Sequence, residues 1–329
     1  MKKRKLRDLE VSAIGYGCMG LSHAYGEATD LKEATNIIDK AIEIGYTFFD
    51  TAEVYGTADK DHHNEELLGK ILKPYRKEIV IATKFGLKFD KTDGKYPYPL
   101  IPDSRPETIR QSIEGSLKRL QTDHIDLYYQ HRQDPEVPVE EVAGVMADLI
   151  QEGKILAWGL SEVEADTIKR AHSVTPLSAI ENRYSMMARW YGDLFPLLEE
   201  LGIGFVAFSP LANGFLSGKY DQNSNFDKTS DYRAYMPQFQ AQNYDKNREL
   251  LALLNRLAKD KNATPAQISL AWMLAKEPWI VPIPGTRNIT RLEENSGAAE
   301  VYLSEDEEKE IDTILDEIPM SDVFGQNFK

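Results

Sequence analysis

The chain of 329 residues contains one cysteine, Cys18, which excludes an intrachain disulfide and suits a reducing compartment. Positive charge is also in deficit: 39 Lys and Arg against 53 Asp and Glu give a formal net charge of -14. That argues against nucleic acid as a main partner, because neutralising phosphates takes a basic surface, and leaves room only for a local basic pocket. No apolar run approaches the roughly 20 residues that a bilayer requires, so no membrane-spanning segment is expected. The opening Met1-Lys-Lys-Arg-Lys5 resembles the positive end of a secretion signal, but Leu6-Arg-Asp-Leu-Glu10 follows where an apolar stretch would be needed. A cytoplasmic protein is therefore expected. Low-complexity tracts are lacking, and no metal site is expected.

What is present is an apolar fraction of 42% beside 28% charged residues, enough for a sizeable core without staples. Seven short apolar runs end in a polar or charged residue: Tyr46 to Asp50, Ile79 to Lys84, Ile125 to His131, Ile155 to Ser161, Leu177 to Glu181, Gly204 to Ser209 and Trp279 to Pro284. Amphipathic stretches of helical length separate them, the pattern of parallel strands buried on both faces. Asp30, Ser104 with Pro106, Thr264 with Pro265, and Ser304 with Glu307 supply helix starts. With Ile14 to Cys18 as a first strand, the strands number eight, and the fold class is α/β, a (β/α)8 TIM barrel. Residues Lys5 to Ile14, turning at Asp8-Leu-Glu10, predict an amino-terminal β-hairpin able to plug one end. One domain over 1–329 is expected, since the alternation runs from end to end. Two long loops at the carboxyl-end mouth, Phe85 to Arg105 with Tyr96-Pro-Tyr-Pro99 and Ser217 to Lys246 with Tyr220, Phe226, Tyr232, Tyr235 and Phe239, read as lids or binding loops.

Gly15-Tyr-Gly-Cys-Met-Gly20 satisfies G-x-G-x-x-G, the dinucleotide fingerprint of a Rossmann fold. That fingerprint needs its third glycine at the opening of a helix. Here Leu21 to Thr29 intervene before a helix signal, so these glycines are read as close-approach positions at the barrel mouth.

In a barrel the carboxyl ends of the strands converge, bringing Asp50, Lys84, His131 and Ser161 together. Tyr55 follows Asp50 in the strand-to-helix loop. A phenol titrates at about 10 in water, and a nearby ammonium favours its ionised form. Lys84 is placed to supply that ammonium, Asp50 to keep it charged, and His131 to orient a carbonyl oxygen, which makes a general-acid site with Tyr55 as proton donor.

Asp50-Thr-Ala-Glu-Val-Tyr55-Gly, Ala82-Thr-Lys84 and Leu127-Tyr-Tyr-Gln-His131 match, in order and context, the catalytic motifs of the aldo-keto reductases, which the chain resembles over almost its whole length. The resemblance implies a barrel that binds NADPH without a Rossmann domain and reduces an aldehyde or ketone to an alcohol. It implies that Ile283 to Asn288, with Gly285, Thr286 and Arg287, and the helical face of Arg291, Glu294 and Asn295 hold the adenosine end. Arg287 and Arg291 suit a 2'-phosphate, which favours NADPH over NADH. Ser209 to Lys219, including Leu211, Asn213 and Ser217, resembles the pyrophosphate loop. Phe208 matches the aromatic ring against the nicotinamide, Ser161 a carboxamide contact, and Gly20 lies among the cofactor-binding positions. Glu162 and Glu181 stand where many members carry asparagine and glutamine. An ionised Glu181 accepts from the carboxamide but cannot donate to it. Pocket walls are expected from the loop after Lys84, the Tyr25 region and the tail near Val323-Phe324. A cofactor-sensing regulatory subunit with little turnover is the alternative, and a Schiff-base lyase using Lys84 is a third reading that a charged Lys84 disfavours. The sequence identifies neither the substrate nor the oligomeric state.

Overall fold

The structure, a computed structural model, describes residues 1–94 and 98–324. Tyr96 and Pro97 of the first long loop lie outside the described residues.

A two-stranded antiparallel hairpin, β1 (Lys3–Leu6) and β2 (Leu9–Ser12), precedes eight parallel strands. These are β3 (Tyr16–Gly17), β4 (Phe48–Asp50), β5 (Val80–Phe85), β8 (Ile125–Gln130), β9 (Ile155–Ser161), β10 (Ala179–Arg183), β11 (Gly204–Phe208) and β12 (Ile280–Pro282), adjacent in chain order. The second antiparallel pair, β6 (Leu87–Phe89) with β7 (Leu100–Pro102), rises from the first long loop, which is therefore partly a hairpin. Ten α-helices occur among the described residues: α1 (Leu31–Glu43), α2 (His63–Leu72), α3 (Pro106–Leu120), α4 (Val139–Gln151), α5 (Ala165–Val174), α6 (Phe195–Leu201), α7 (Arg248–Asp260), α8 (Pro265–Lys276), α9 (Ile289–Gly297) and α10 (Glu305–Glu317).

The ring closes between β3 and β12. The Gly15 amide donates to the Pro282 carbonyl at 3.0 Å, and the backbones approach so closely that a Cβ on Gly17 would stand 2.6 Å from the Ile283 oxygen. Gly15 and Gly17 are thus close-approach positions at this seam. Gly20 differs from that expectation: a Cβ there would meet its nearest neighbour, the Tyr25 ring, at an ordinary 3.5 Å.

Alternation fixes the inside of the barrel. Phe48, Ala82, Leu127, Tyr129, Ala157, Ala179, Val206 and Val281 point inward and pack with Leu6 and Val11 of the hairpin, which plugs the amino-terminal end. The hairpin turns at Arg7-Asp8, earlier than the sequence suggested, because Leu6 pairs with Leu9 and Arg7 takes the left-handed conformation at φ 55°. The residues between, such as Phe49, Ile81, Tyr128 and Trp158, pack outward in the larger core shared with the helices.

Helix starts follow their capping chemistry. Asp30 accepts from the Glu33 amide, and Thr264 with Gln267 and Ser304 with Glu307 form capping boxes. Ser104 does not cap α3. Arg105 holds the N-cap position, and Ser104 instead donates its amide to Asp134 and accepts from Gln130. No described helix is long and apolar enough to cross a membrane.

Candidate functional site

The strand ends converge on one cavity of about 800 Å3. Its floor is an ionic centre. The Lys84 ammonium, 1% exposed, lies 2.5 Å from Asp50 Oδ1 and 3.2 Å from Glu181 Oε1 and donates to the Thr51 carbonyl at 2.9 Å. Three strands impose this: β4 ends at Asp50, its neighbour β5 carries Lys84, and β10, separated from β5 by β8 and β9, carries Glu181, all inward-facing. Gly159, whose Cβ would stand 2.5 Å from the Tyr129 ring, leaves room for that ring beneath the lysine. The Lys84 nitrogen is 6.0 Å from its centroid.

Tyr55 reaches over this centre with its ring centroid 5.4 Å from the Lys84 nitrogen. His131 meets the Tyr55 ring edge-on at 5.7 Å and 84°, and His23 stacks on it at 5.7 Å and 20°. The structure therefore brings Asp50, Tyr55, Lys84 and His131 together. Three of the four line the cavity, while Lys84 lies beneath it.

The electrostatics are those of a buried site carrying two carboxyls for one ammonium. Burial alone would strip the proton from Lys84, but Asp50 and Glu181 outweigh it and hold the ammonium charged. Burial raises Asp50, and it pushes Glu181, helped by the charge of Asp50, up to about 8. Tyr55 is pushed up to about 12 by burial, with Lys84 pulling the other way. The expectation that the ammonium lowers this phenol is thus corrected, since desolvation of the phenolate outweighs the attraction and Asp50 and Glu181 cancel part of it. His131 falls well below its usual value through burial and the charges of Arg132 and Lys84, so it is neutral and able to donate one N–H.

Every proposed cofactor position borders the same cavity: Gly20, Ser161, Glu181, Phe208, Ser209, Leu211, Asn213, Ser217, Lys219, Gly285, Thr286, Arg287, Arg291, Glu294 and Asn295. Ser209, Ala212 and Asn213 adopt positive φ of 49°, 47° and 60°, which turns the loop after β11 into a cradle of amides. Asn288 caps α9, so Arg291, Glu294 and Asn295 share its cavity face. Both arginines here already have partners. Arg291 pairs with Glu294, while Arg287 donates to the carbonyls of Tyr25 and, at 2.6 Å, Glu27. Asp50 and Glu181 share a side-chain hydrogen bond, whereas His131 Nδ1 and Arg183 Nε are buried without a partner. Unfilled polar atoms beside a ring-lined, amide-cradled cavity fit a nicotinamide dinucleotide.

Glu162 does not border the cavity; its carboxylate accepts from the Arg183 amide at 3.2 Å. Four basic lining residues escaped the sequence: His23, Arg132, Arg183 and Arg233. Arg132 could have been flagged by adjacency to His131, and Arg183 by its place two residues beyond Glu181. The second long loop does reach the cavity, bridged to the first mouth loop where Tyr25 pairs with Asp231 and Gly26 donates to Ser230.

A parallel barrel with a lysine–carboxylate centre under a tyrosine at its carboxyl-end mouth defines an oxidoreductase of the barrel type. The model of the Aldo/keto reductase family matches residues 13–316, and the chain belongs to that family. It is 44% identical over 321 residues, 97% of this chain and 89% of the relative, to a probable aldo-keto reductase 1 of Glycine max. It is 40% identical to the aldo-keto reductase yakc [NADP(+)] of Schizosaccharomyces pombe, across 94% of this chain and 89% of that one. Among solved structures, the glycerol dehydrogenase AKR11B4 from Gluconobacter oxydans superposes with a TM-score of 0.86 at 27% identity, covering 96% of this chain and 95% of that one. The holo form of aldo-keto reductase AKR11C1 from Bacillus halodurans gives 0.77 at 29% identity with full coverage of both.

Proposed function

We propose that the chain is one catalytic domain that uses NADPH to reduce an aldehyde or ketone to an alcohol, with Tyr55 as proton donor. The observation that carries this reading is the buried Lys84 ammonium, 2.5 Å from Asp50 and 5.4 Å from the Tyr55 ring centroid. Bound NADPH supplies the hydride.

The protein's part is electrostatic and positional. A phenol held at about 12 is protonated at neutral pH and ready to donate. As negative charge develops on a carbonyl oxygen and the proton leaves Tyr55, the nascent phenolate faces Lys84, whose charge is fixed beforehand. Asp50 keeps Lys84 charged. Neutral His131 donates to the same carbonyl oxygen and holds it against the Tyr55 hydroxyl. Phe208 and Ser161 position the nicotinamide end, the loop from Ser209 to Lys219 the pyrophosphate, and Gly285 to Arg287 with Arg291, Glu294 and Asn295 the adenosine end. A protonated Glu181 can donate a hydrogen bond, which an ionised one cannot. The NADP(+) in the name of the Schizosaccharomyces pombe relative supports the phosphorylated cofactor. Cytoplasmic residence goes with this reading, and the one thiol, Cys18, is free and buried.

The test is titration of the purified protein with NADPH and NADH, then loss of nicotinamide absorbance with simple aldehydes and ketones. Carbonyl-dependent oxidation of NADPH is expected. Tight binding without turnover would transfer the site to cofactor sensing, and no binding would remove the cofactor assignment.

A further inference from the structure

Among the described residues, three arginines at the mouth lack a carboxylate partner, and two of them, Arg132 and Arg183, are not held by backbone carbonyls of the cofactor loops as Arg287 is. Arg183 ends β10 two residues beyond Glu181, so strand alternation stacks its side chain above the ionic centre. It is 7% exposed, and its Nε is buried without a hydrogen-bond partner. Its guanidinium lies 4.8 Å from the ring of Phe208 and 5.6 Å from that of Phe324. Arg132 follows His131 and donates to the His131 carbonyl at 2.6 Å and to Ser161 Oγ at 3.3 Å. Among the described residues neither guanidinium forms an ion pair with a carboxylate.

Arg233 pairs with Asp231 at 2.5 Å and Arg291 with Glu294, while Arg287 is held by two carbonyls. Glu162 uses an oxygen on the Arg183 amide, and its charge reaches the guanidinium without forming an ion pair. Arg132 and Arg183 lie close enough to repel each other, and the charge of Arg132 also reaches Tyr55. A desolvated guanidinium without a counter-charge is costly. In a chain with a net charge of -14, acids to neutralise it are not scarce.

We infer that Arg132 and Arg183 recognise an anionic group carried by the carbonyl substrate itself, so that oxo acids or phosphorylated aldehydes and ketones are preferred over neutral carbonyls. This rests on the reductase reading above. Guanidinium matches carboxylate and phosphate in charge and fork geometry, and the aromatic faces hold Arg183 flat for such a contact. The proposed adenosine-end arginines follow β12, two strands from β10 in the sheet. The two sets of guanidiniums therefore serve different ends of the cavity.

The test uses matched pairs with saturating NADPH: 4-oxobutanoate against butanal for a carboxylate, and glyceraldehyde 3-phosphate against glyceraldehyde for a phosphate. The charged member is expected to show at least a tenfold higher kcat/KM in one pair, and which pair identifies the anion. Arg183→Gln and Arg132→Gln should each cut that ratio tenfold or more, chiefly through KM, with Arg183→Lys restoring part of it if charge rather than folding is at stake. A ratio near one in the wild type for both pairs, or one that both variants leave intact, overturns the inference. An equal loss of NADPH affinity in the variants would assign the arginines to the cofactor and also overturn it. Calorimetric titration of the NADP+ complex with succinate and with inorganic phosphate decides the question without turnover. If no carbonyl is reduced, the reductase reading fails alone: binding of either anion that Arg183→Gln abolishes still upholds the anion site, and no binding to the wild type sinks it.

Discussion

Replacing Glu181 by glutamine turns the proton held in the ionic centre into a measurable stability. Burial and then the charge of Asp50 push this carboxyl from 4.5 to about 8, so the folded protein keeps a proton that the unfolded chain has already released. A raised carboxyl contributes stability that is complete below about 4.5 and is lost as pH climbs to about 8. At about 1.4 kcal/mol per pH unit, that span amounts to on the order of 5 kcal/mol. Asp50 titrates with it as a pair, so the value is a ceiling for Glu181 alone. Glutamine keeps the shape without the titration. Urea unfolding of wild type and Glu181→Gln at pH 5, 6, 7 and 8 should show the wild type losing several kcal/mol relative to the variant across that range. Taking the difference cancels Glu53 and the other titrating groups that do not interact with Glu181. A difference that stays flat within about 1 kcal/mol would refute the buried two-carboxyl arrangement.

Three further outcomes are expected. Arg287→Ala combined with Arg291→Ala should weaken NADPH at least tenfold more than NADH in equilibrium titrations, because a guanidinium on the 2'-phosphate contributes roughly 1.5–3 kcal/mol; equal losses would remove the 2'-phosphate argument. Gly17→Ala should cost about 1–3 kcal/mol in urea unfolding, because its Cβ would sit 2.6 Å from the Ile283 carbonyl oxygen across the closing seam. Gly20→Ala, with 3.5 Å to its nearest neighbour, should cost less than about 1 kcal/mol.

The barrel was legible because its strands obey a local rule. Ile155–Ser161 coincides with its strand, and the other six runs contain theirs or overlap them within two residues at each end, since a parallel strand buried on both faces must be apolar until it reaches the mouth. Asp50, Lys84 and His131 stood out for the same reason, as polar endings of such runs. Ser104 misled because a serine near Pro106 has cap chemistry, yet Gln130 and Asp134, distant in sequence, claim its polar groups. The hairpin of β6 and β7 was concealed by exposed, weakly alternating residues such as Leu100 and Ile101. His23 carries no local signal, and Arg183 only its place two residues beyond Glu181 on one strand. Their meaning lies in the Tyr55 ring under one and the Phe208 and Phe324 rings around the other, contacts that only the closed barrel creates. The net effect of burial on Tyr55 was equally hidden, because a sequence names its ammonium neighbour without weighing the loss of water.

The central claim is that Tyr55 delivers the proton under the charge of Lys84. Tyr55→Phe tests it most directly, by stopped-flow loss of nicotinamide absorbance from preformed NADPH complexes of wild type and variant mixed with one carbonyl substrate. Losing the general acid should slow the decay by about 10²–10⁴-fold. Equal decay rates in the two proteins would contradict the claim and move the proton donor elsewhere in the cavity.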